Sequence, residues 1–515
     1  MPTRRWLTAF TSALLLATGG GAGAVVAQAA APGAGERRTA RQLESIRHDP
    51  FRLHAFLAAM PKGGDLHNHL SGAVPTETLI GYAVEDGLCI DSTTLTAMSA
   101  PAPGASCPAG QRPAADSSAD GAFFGQILRA WSMAGFAPGA ETGHDHFFAT
   151  FGKFGLATVR KGDMLAAVAR INAAENVLYL ETLVSRQGDA VRAVAQQVGF
   201  DSDFAAMRAK LLAGGMAQIV SAASEETDAD VARFDELLGC RTPHPRPACR
   251  LVWRYDYQVG RATDPEIVFT NLLLGFELQR TDPRYVGVNL VQPEDNAVAL
   301  RDYTLQMRMI RYLRSVYPRA HVTLHAGELA PGLVAPADLR FHIRQAVDIA
   351  GAERIGHGVD LVHEQGYTAL LRTMARRHVL VEAPLTSNAQ ILGVSGPAHP
   401  FMRYRAAGVP VALATDDPGV SRIDLTDEYA LAATEYDLHY RDLKNLARAS
   451  LDHAFLPGRS LWLARDVYRR RAACARDSPA AARPGPRCRA FLRTSAKATV
   501  QWRQETRLSA FERRR

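Results

Sequence analysis

Gly63-Gly64-Asp65-Leu66-His67-Asn68-His69-Leu70 closes a short apolar run on two histidines spaced two apart. Alternate side chains of a strand share one face, so His67 and His69 point the same way. Two neutral imidazoles at that spacing suit a divalent cation such as zinc. The spacing alone is weak evidence. His144-Asp145-His146 repeats it, but leads into Phe147-Phe148-Ala149-Thr150-Phe151, which reads as helix. On a helix those imidazoles diverge, so His144 and His146 read as surface or lid residues. Three further segments give the first pair its weight: Leu324-His325-Ala326-Gly327-Glu328, Arg354-Ile355-Gly356-His357-Gly358 and Thr415-Asp416-Asp417-Pro418. Each ends a β-like apolar run.

Working outward, eight such runs follow one another. They centre on Gly64–His67, Val177–Val184, Leu251–Tyr255, Tyr285–Val291, His321–His325, Arg354–His357, His378–Ala383 and Pro410–Thr415. Helix-like stretches such as Leu305–Val316, Ala337–Ile349 and Tyr367–Arg377 separate most of them. Eight strands alternating with helices predict an α/β fold, a (β/α)8 TIM barrel. Arg41–Met60 reads as one helix delivering the chain to the first strand, after a flexible leader over residues 30–40. The barrel is expected over residues 61–455, with insertions at 89–146 and 200–249. Ala100–Gly121, rich in Ala, Pro and Gly, reads as a mobile loop. Residues 456–515 read as a basic, helical C-terminal extension.

The chain has 515 residues, 47% hydrophobic and 22% charged, an ordinary globular composition. Residues 1–29 read as a signal peptide: Arg4 and Arg5 precede the apolar run Trp6–Ala17, and Ala27-Gln28-Ala29 offers a cleavage site. The twin arginines also loosely match a twin-arginine signal. Export, to the periplasm or the exterior, is therefore expected, with no membrane association after cleavage. Six cysteines form three sequence-local pairs, for which disulfides 89–107, 240–249 and 474–488 are the simplest scheme and free thiols the alternative. No C-x-x-C is present. The net charge of +7 resides largely in the leader and in Arg469-Arg470-Arg471 and Arg513-Arg514-Arg515. Without interleaved aromatics, these read as a solvated basic helix and tail, not a nucleic-acid surface.

The chemistry follows from the four segments. His67, His69 and His325 supply three nitrogens. Glu328 lies just beyond the His325 strand, within reach of the same site without being a ligand. Enclosed there, it could hold its proton and act as a general acid; a glutamate at a helix N-terminus is the plainer reading. His357, between two glycines, could take a proton from water. Asp416 and Asp417 end the last strand. Adjacent residues of a strand point to opposite sides, so one could ligate a metal while the other bonds substrate.

Taken together, Met60–Leu70, His325-Ala326-Gly327-Glu328, Arg354-Ile355-Gly356-His357-Gly358, Pro384-Leu385-Thr386-Ser387-Asn388 and Thr415-Asp416-Asp417-Pro418 resemble the adenosine deaminase family of the amidohydrolase superfamily. Trp253–Gln258 and Ser450–Gly458 resemble its secreted, growth-factor-type members in particular. The resemblance covers about residues 45–465 and implies one Zn2+ on His67, His69, His325 and Asp416. It implies that His357 deprotonates and orients the attacking water, that Glu328 protonates purine N1, and that Asp417 bonds purine N7. Adenosine or 2′-deoxyadenosine would become the inosine counterpart and ammonia. Three positions depart from the family pattern. Ser71 stands where an Asp often contacts ribose. Gln292 stands where a Gly often gives its N–H to purine N3. Ala383 replaces a common Cys. Ser71 and Gln292 are thus expected at the substrate and leave its identity open.

A deaminase acting on adenine or a modified aminopurine nucleoside would carry the same metal set. A non-catalytic nucleoside-binding or signalling protein would be expected to have lost a ligand or Glu328. The H-x-E with P-C-x-x-C pattern of cytidine-type zinc deaminases is absent. No glycine-rich phosphate loop favours a nucleotide substrate. A homodimer through the N-terminal helix and the 89–146 insertion is compatible with the sequence.

Overall fold

The computed structural model describes residues 33–102, 104–481 and 483–515. The expected signal peptide and the start of the leader lie outside them. Eight parallel strands form the frame: β1 Gly63–Asp65, β2 Val177–Val184, β3 Val252–Gly260, β4 Tyr285–Val291, β5 Thr323–Ala326, β6 Arg354–His357, β7 Leu380–Ala383 and β8 Val411–Leu413. They pair in chain order as two four-stranded halves. Single parallel bridges, Asn68 to Asp416 and Val288 to Val322, join β1 to β8 and β4 to β5 and close the barrel. β2, β4, β5, β6 and β7 are buried along their whole length, because helices cover one face and the barrel interior the other.

The lower barrel interior is ionic. Arg354 lies across the axis between Glu181, Asp256 and Glu382, all fully buried, and stacks on Phe455. Burial, then the charge of Glu181, pushes Asp256 well above the usual carboxylate range. Glu382 passes the connection upward to His67.

Two sequence expectations fail at helices. Arg41–Met60 is not one helix: the chain forms Ala34–Ile46 and Pro50–Ala59. Pro50 lacks an N–H and starts the second helix, while Asp49 caps it by accepting from Arg52 N. Residues 34–40, expected in the flexible leader, are helical. Ala337–Ile349 breaks into a 3-10 turn, His342–Gln345 and a π turn over Ala346–Ala350. His342 turns inward there and donates from Nδ1 to Glu294 at 2.6 Å.

The insertions are folded. Ala100–Gly121, read as a mobile loop, contributes Gln111–Pro113, which pairs with Cys89–Asp91 beside Ala97–Met98 and is tied by Cys89–Cys107. The second insertion is mainly the helices Phe204–Leu211 and Ala217–Leu238, closed by Cys240–Cys249. The C-terminal region is not purely helical. It has a hairpin, Trp462–Ala464 with Val467–Arg470, and the Cys474–Cys488 disulfide, before helices Pro486–Arg493 and Ala496–Arg514. Nor is the last helix merely solvated: it buries Val500, Trp502 and Phe511, and Gln504 Nε2 donates to Pro61 O just before β1. Among the described residues no helix is long and apolar enough to cross a membrane.

Candidate metal centre

Four side chains from three strand ends meet above the barrel. His67 Nε2 lies 3.0 Å from His325 Nε2, and His69 Nε2 lies 3.2 Å from it. Asp416 Oδ1 stands 3.4 Å from His67 Nε2 and 3.3 Å from His69 Nε2. A four-coordinate zinc ion with the usual bond lengths requires ligand-to-ligand edges of roughly 3.3 Å. The donor set therefore fits such an ion.

Second contacts fix which ring nitrogen faces inward. His67 Nδ1–H donates to Glu382 Oε2 at 2.9 Å, His69 Nδ1–H to Gln258 Oε1 at 3.2 Å, and His325 Nδ1–H to Asn289 Oδ1 at 3.0 Å. Each oxygen holds the proton on Nδ1, so each Nε2 presents a lone pair to the centre. Ser387 Oγ donates to Asp416 Oδ2 at 2.7 Å and turns Oδ1 toward the histidines. Burial disfavours charge on His67, yet the hydrogen bonds it donates to Asp416 and Glu382 raise it to about 10 in the metal-free protein. His325 is pushed well below the ordinary value by burial and by the charges of His67, His357 and His69. One proton thus sits where a divalent cation would satisfy all four groups.

Glu382, Gln258, Asn289 and Ser387 were not identified as site residues from the sequence. A signal existed for Glu382: a carboxylate inside the apolar run Leu380–Ala383 needs a buried partner.

The strand-alternation expectation for the aspartates is corrected. Asp416 has φ 62°, in the left-handed region, so the pleat ends there and Asp417 turns back to the same site. His69, Asp416 and Asp417 offer ligand-type atoms within 4.8 Å of one another. Burial, then the charge of Asp416, pushes Asp417 well above the usual carboxylate range. Its Oδ1 is buried without a protein partner. Gly72 allows this placement, since a Cβ there would lie 1.8 Å from Asp417 Oδ1. Gly72→Ala is therefore expected to cut kcat/KM by about 10²-fold through a displaced Asp417, with metal content unchanged by elemental analysis. Loss of metal in this variant would move the disturbance to Asp416.

Glu328 is buried beside the ligands. Glu294 grips its loop, accepting from Gly327 N at 3.1 Å and Glu328 N at 2.8 Å. Burial, then the charges of Asp416 and Glu294, push the Glu328 carboxyl well above its usual range. His357, φ 66°, ends β6 with its Nδ1 2.8 Å from the side-chain amide of Asn388. Burial lowers His357 to about 4, so it is neutral at pH 7, and its buried Nε2 has no protein partner.

Ser71 lies in the turn Leu70–Ala73, next to Gly72. Gln292 has φ 81°, a conformation glycine adopts freely, and its Oε1 accepts from Ala262 N at 2.9 Å. The Gln292 side chain is thus committed to the loop after β3. His144 and His146 sit on helix Gly143–Phe154 and diverge as expected: His144 Nε2 is 3.1 Å from Asp295 Oδ1, and His146 Nε2 is 3.0 Å from Ser132 O. His144 therefore ties the first insertion to the loop after β4.

Comparison with known proteins agrees with this geometry. The family model for adenosine deaminase matches residues 295–467. Adenosine deaminase of Escherichia coli (strain SE11) is 36% identical over 137 residues, 26% of this chain and 38% of that protein. The chain thus spans well under half the length of the curated relatives it matches. Among solved structures, an Arabidopsis N6-mAMP deaminase superposes with TM-score 0.50 at 20% identity, covering 78% of this chain and 96% of that one. An Arabidopsis relative complexed with GMP gives TM-score 0.50 at 20% identity, covering 78% and 94%. These likenesses show the fold, a TIM barrel.

Proposed function

We propose that the chain, whose residues 295–467 match the adenosine deaminase family model, belongs to that family and is an exported, zinc-dependent deaminase converting adenosine or 2′-deoxyadenosine to the corresponding inosine and ammonia. One observation carries the reading. Two enclosed carboxyls, Glu328 and Asp417, both pushed by burial toward keeping their protons, stand beside four converging metal-type donors. A purine offers two ring acceptors near its amino-bearing carbon, and two neutral acids can donate to both.

Zinc on His67, His69, His325 and Asp416 would supply water ready to attack near neutral pH. Glu328 delivers its proton to purine N1, which makes C6 electrophilic as water adds there. Asp417 donates to N7 and holds the ring in register. His357 points its unpartnered Nε2 at the attacking oxygen and orients it. As the C6–N6 bond breaks, one proton of the water passes to the departing amino group, which leaves as ammonia, the other restores Glu328, and the N1–H 6-oxopurine remains. The three disulfides support an oxidising compartment.

Ser71 and Gln292 favour one second reading, in which the base is adenine or a modified aminopurine nucleoside. Gln292 directs its side chain to Ala262, and Ser71 is shorter than the aspartate it replaces. Purified protein with zinc should remove the adenosine absorbance band and release ammonia, in a panel with 2′-deoxyadenosine, adenine, AMP and N6-methyladenosine. Zinc-loaded protein that leaves adenosine untouched but turns over another member would reject adenosine and keep the chemistry.

A further inference from the structure

Four imidazoles crowd this centre, and distance alone does not say which three bind the cation. Ligand-type atoms of His67, His325, His357 and Asp416 all lie within 4.8 Å of one another, as do those of His69, Asp416 and Asp417. The rings of His67 and His325 are each 5.1 Å from that of His357. The difference between a ligand and a neighbour is the position of the ring proton.

Hydrogen-bond direction settles that position for His357. Asn388 sits between His357 and His399, and all three are buried. Its side-chain amide stands with Oδ1 2.8 Å from His357 Nδ1 and Nδ2 2.8 Å from His399 Nε2, and the two ends have the same shape. His399 Nδ1 accepts from the backbone N–H of Phe401 at 3.1 Å. A backbone N–H can only donate, so His399 Nδ1 is a lone pair and the ring proton is on Nε2. Accepting at both nitrogens would require an imidazolate, and an imidazolium would set an N–H against the N–H of Phe401. Burial, then the charge of His357, lowers His399 to about 4, in keeping with a neutral ring. Hence His399 Nε2–H donates, and the amide atom facing it must be the oxygen. The amide must therefore be turned over, so that its nitrogen faces His357 and donates to Nδ1. That leaves the single proton of neutral His357 on Nε2, the nitrogen aimed at the metal centre.

The contrast with the three ligands is complete. His67, His69 and His325 each have an oxygen at Nδ1 and therefore a bare Nε2. With the Asn388 amide so turned, His357 alone has a donor at Nδ1. We propose that Asn388 and His399 are positioning residues that lock His357 in its Nε2–H form. His357 is thereby kept off the cation and donates a hydrogen bond to the attacking oxygen, instead of removing its proton. Naming that oxygen rests on the proposed deaminase; the ring assignment does not.

The test is ring-nitrogen NMR on protein labelled with [15N]histidine, metal-free and zinc-loaded, with single His→Gln variants for assignment. The expected pattern is Nε2–H for His357 and His399, and Nδ1–H for His67, His69 and His325 in the zinc form. Asn388→Asp then reverses the relay. A carboxylate can only accept, so His399 keeps Nε2–H while His357 is driven to Nδ1–H. With that switch kcat should fall about 10- to 100-fold, KM moving far less. A wild-type His357 in the Nδ1–H form would overturn the proposal, as would an Asn388→Asp protein with His357 and kcat both unchanged. If Asn388→Asp does not fold, the wild-type spectrum alone decides. These spectra need no substrate, so a protein inert toward every aminopurine would reject the activity and still answer the question about His357.

Discussion

Glu328→Gln is expected to lower kcat by about 10²–10⁴-fold while leaving KM and bound zinc near wild type. Glutamine has the same shape and still donates a hydrogen bond to purine N1, so ground-state binding survives; it cannot transfer a proton, so the chemical step does not. The wild-type carboxyl is suited to the task because burial, reinforced by the charges of Asp416 and Glu294, holds its proton past the usual range. As pH rises through that elevated value the acid is lost, so kcat should fall on the alkaline side, and this limb should vanish in the residual activity of the variant. The same shift has a stability sign. Above about pH 4.3 the unfolded chain releases a proton that the folded protein retains. Stability contributed by this group therefore declines as pH rises from there through the folded value. Metal-free Glu328→Gln should accordingly melt at or above the wild-type temperature at pH 7–8. A variant keeping more than about a tenth of wild-type kcat would remove Glu328 from the role of acid.

The sequence carried the frame of this molecule further than its supports. β2, β4 and β6 have the same bounds as the runs read from the sequence, because strands buried on both faces must be apolar throughout. The three disulfides join the sequence-local pairs, where short loops leave few partners within reach. The break at Pro50 was visible in principle, since proline belongs in a first helical turn. The turning-back of Asp417 was not, because it depends on the left-handed backbone of Asp416. Of the oxygens behind the histidines only Glu382 left a signal in the sequence, and that signal did not name its partner. Gln258, Asn289 and Glu382 come from three different strands. Their meeting with His69, His325 and His67 depends on how the closed barrel staggers its strands, which no local pattern encodes.

That stagger makes Gly356 the most exacting position in the barrel. It pairs in register with His325 on β5 and Glu382 on β7, placing it under the ring of His67. A Cβ at Gly356 would lie 2.6 Å from His67 Cε1, 2.7 Å from His67 Nδ1 and 3.6 Å from Glu382 Oε2. Its neighbours are a ring held on both sides and a carboxylate pinned by Arg354 and Thr323, so neither can yield cheaply. Gly356→Ala should push His67 off Glu382 and out of line with His325. Loss of one such supporting contact costs about 10- to 100-fold in metal affinity, and displacing the ligand itself should exceed that. Gly356→Ala is thus expected to retain less than a tenth of a zinc equivalent after dialysis against a mild chelator. Activity should fall in proportion and return in part with excess zinc. Circular dichroism should stay near wild type, because alanine is compatible with an ordinary strand backbone. Stoichiometric, chelator-resistant zinc in this variant would mean that His67 does not hold the ion. The centre would then have to be rebuilt around His69, His325 and Asp416, with a different fourth donor.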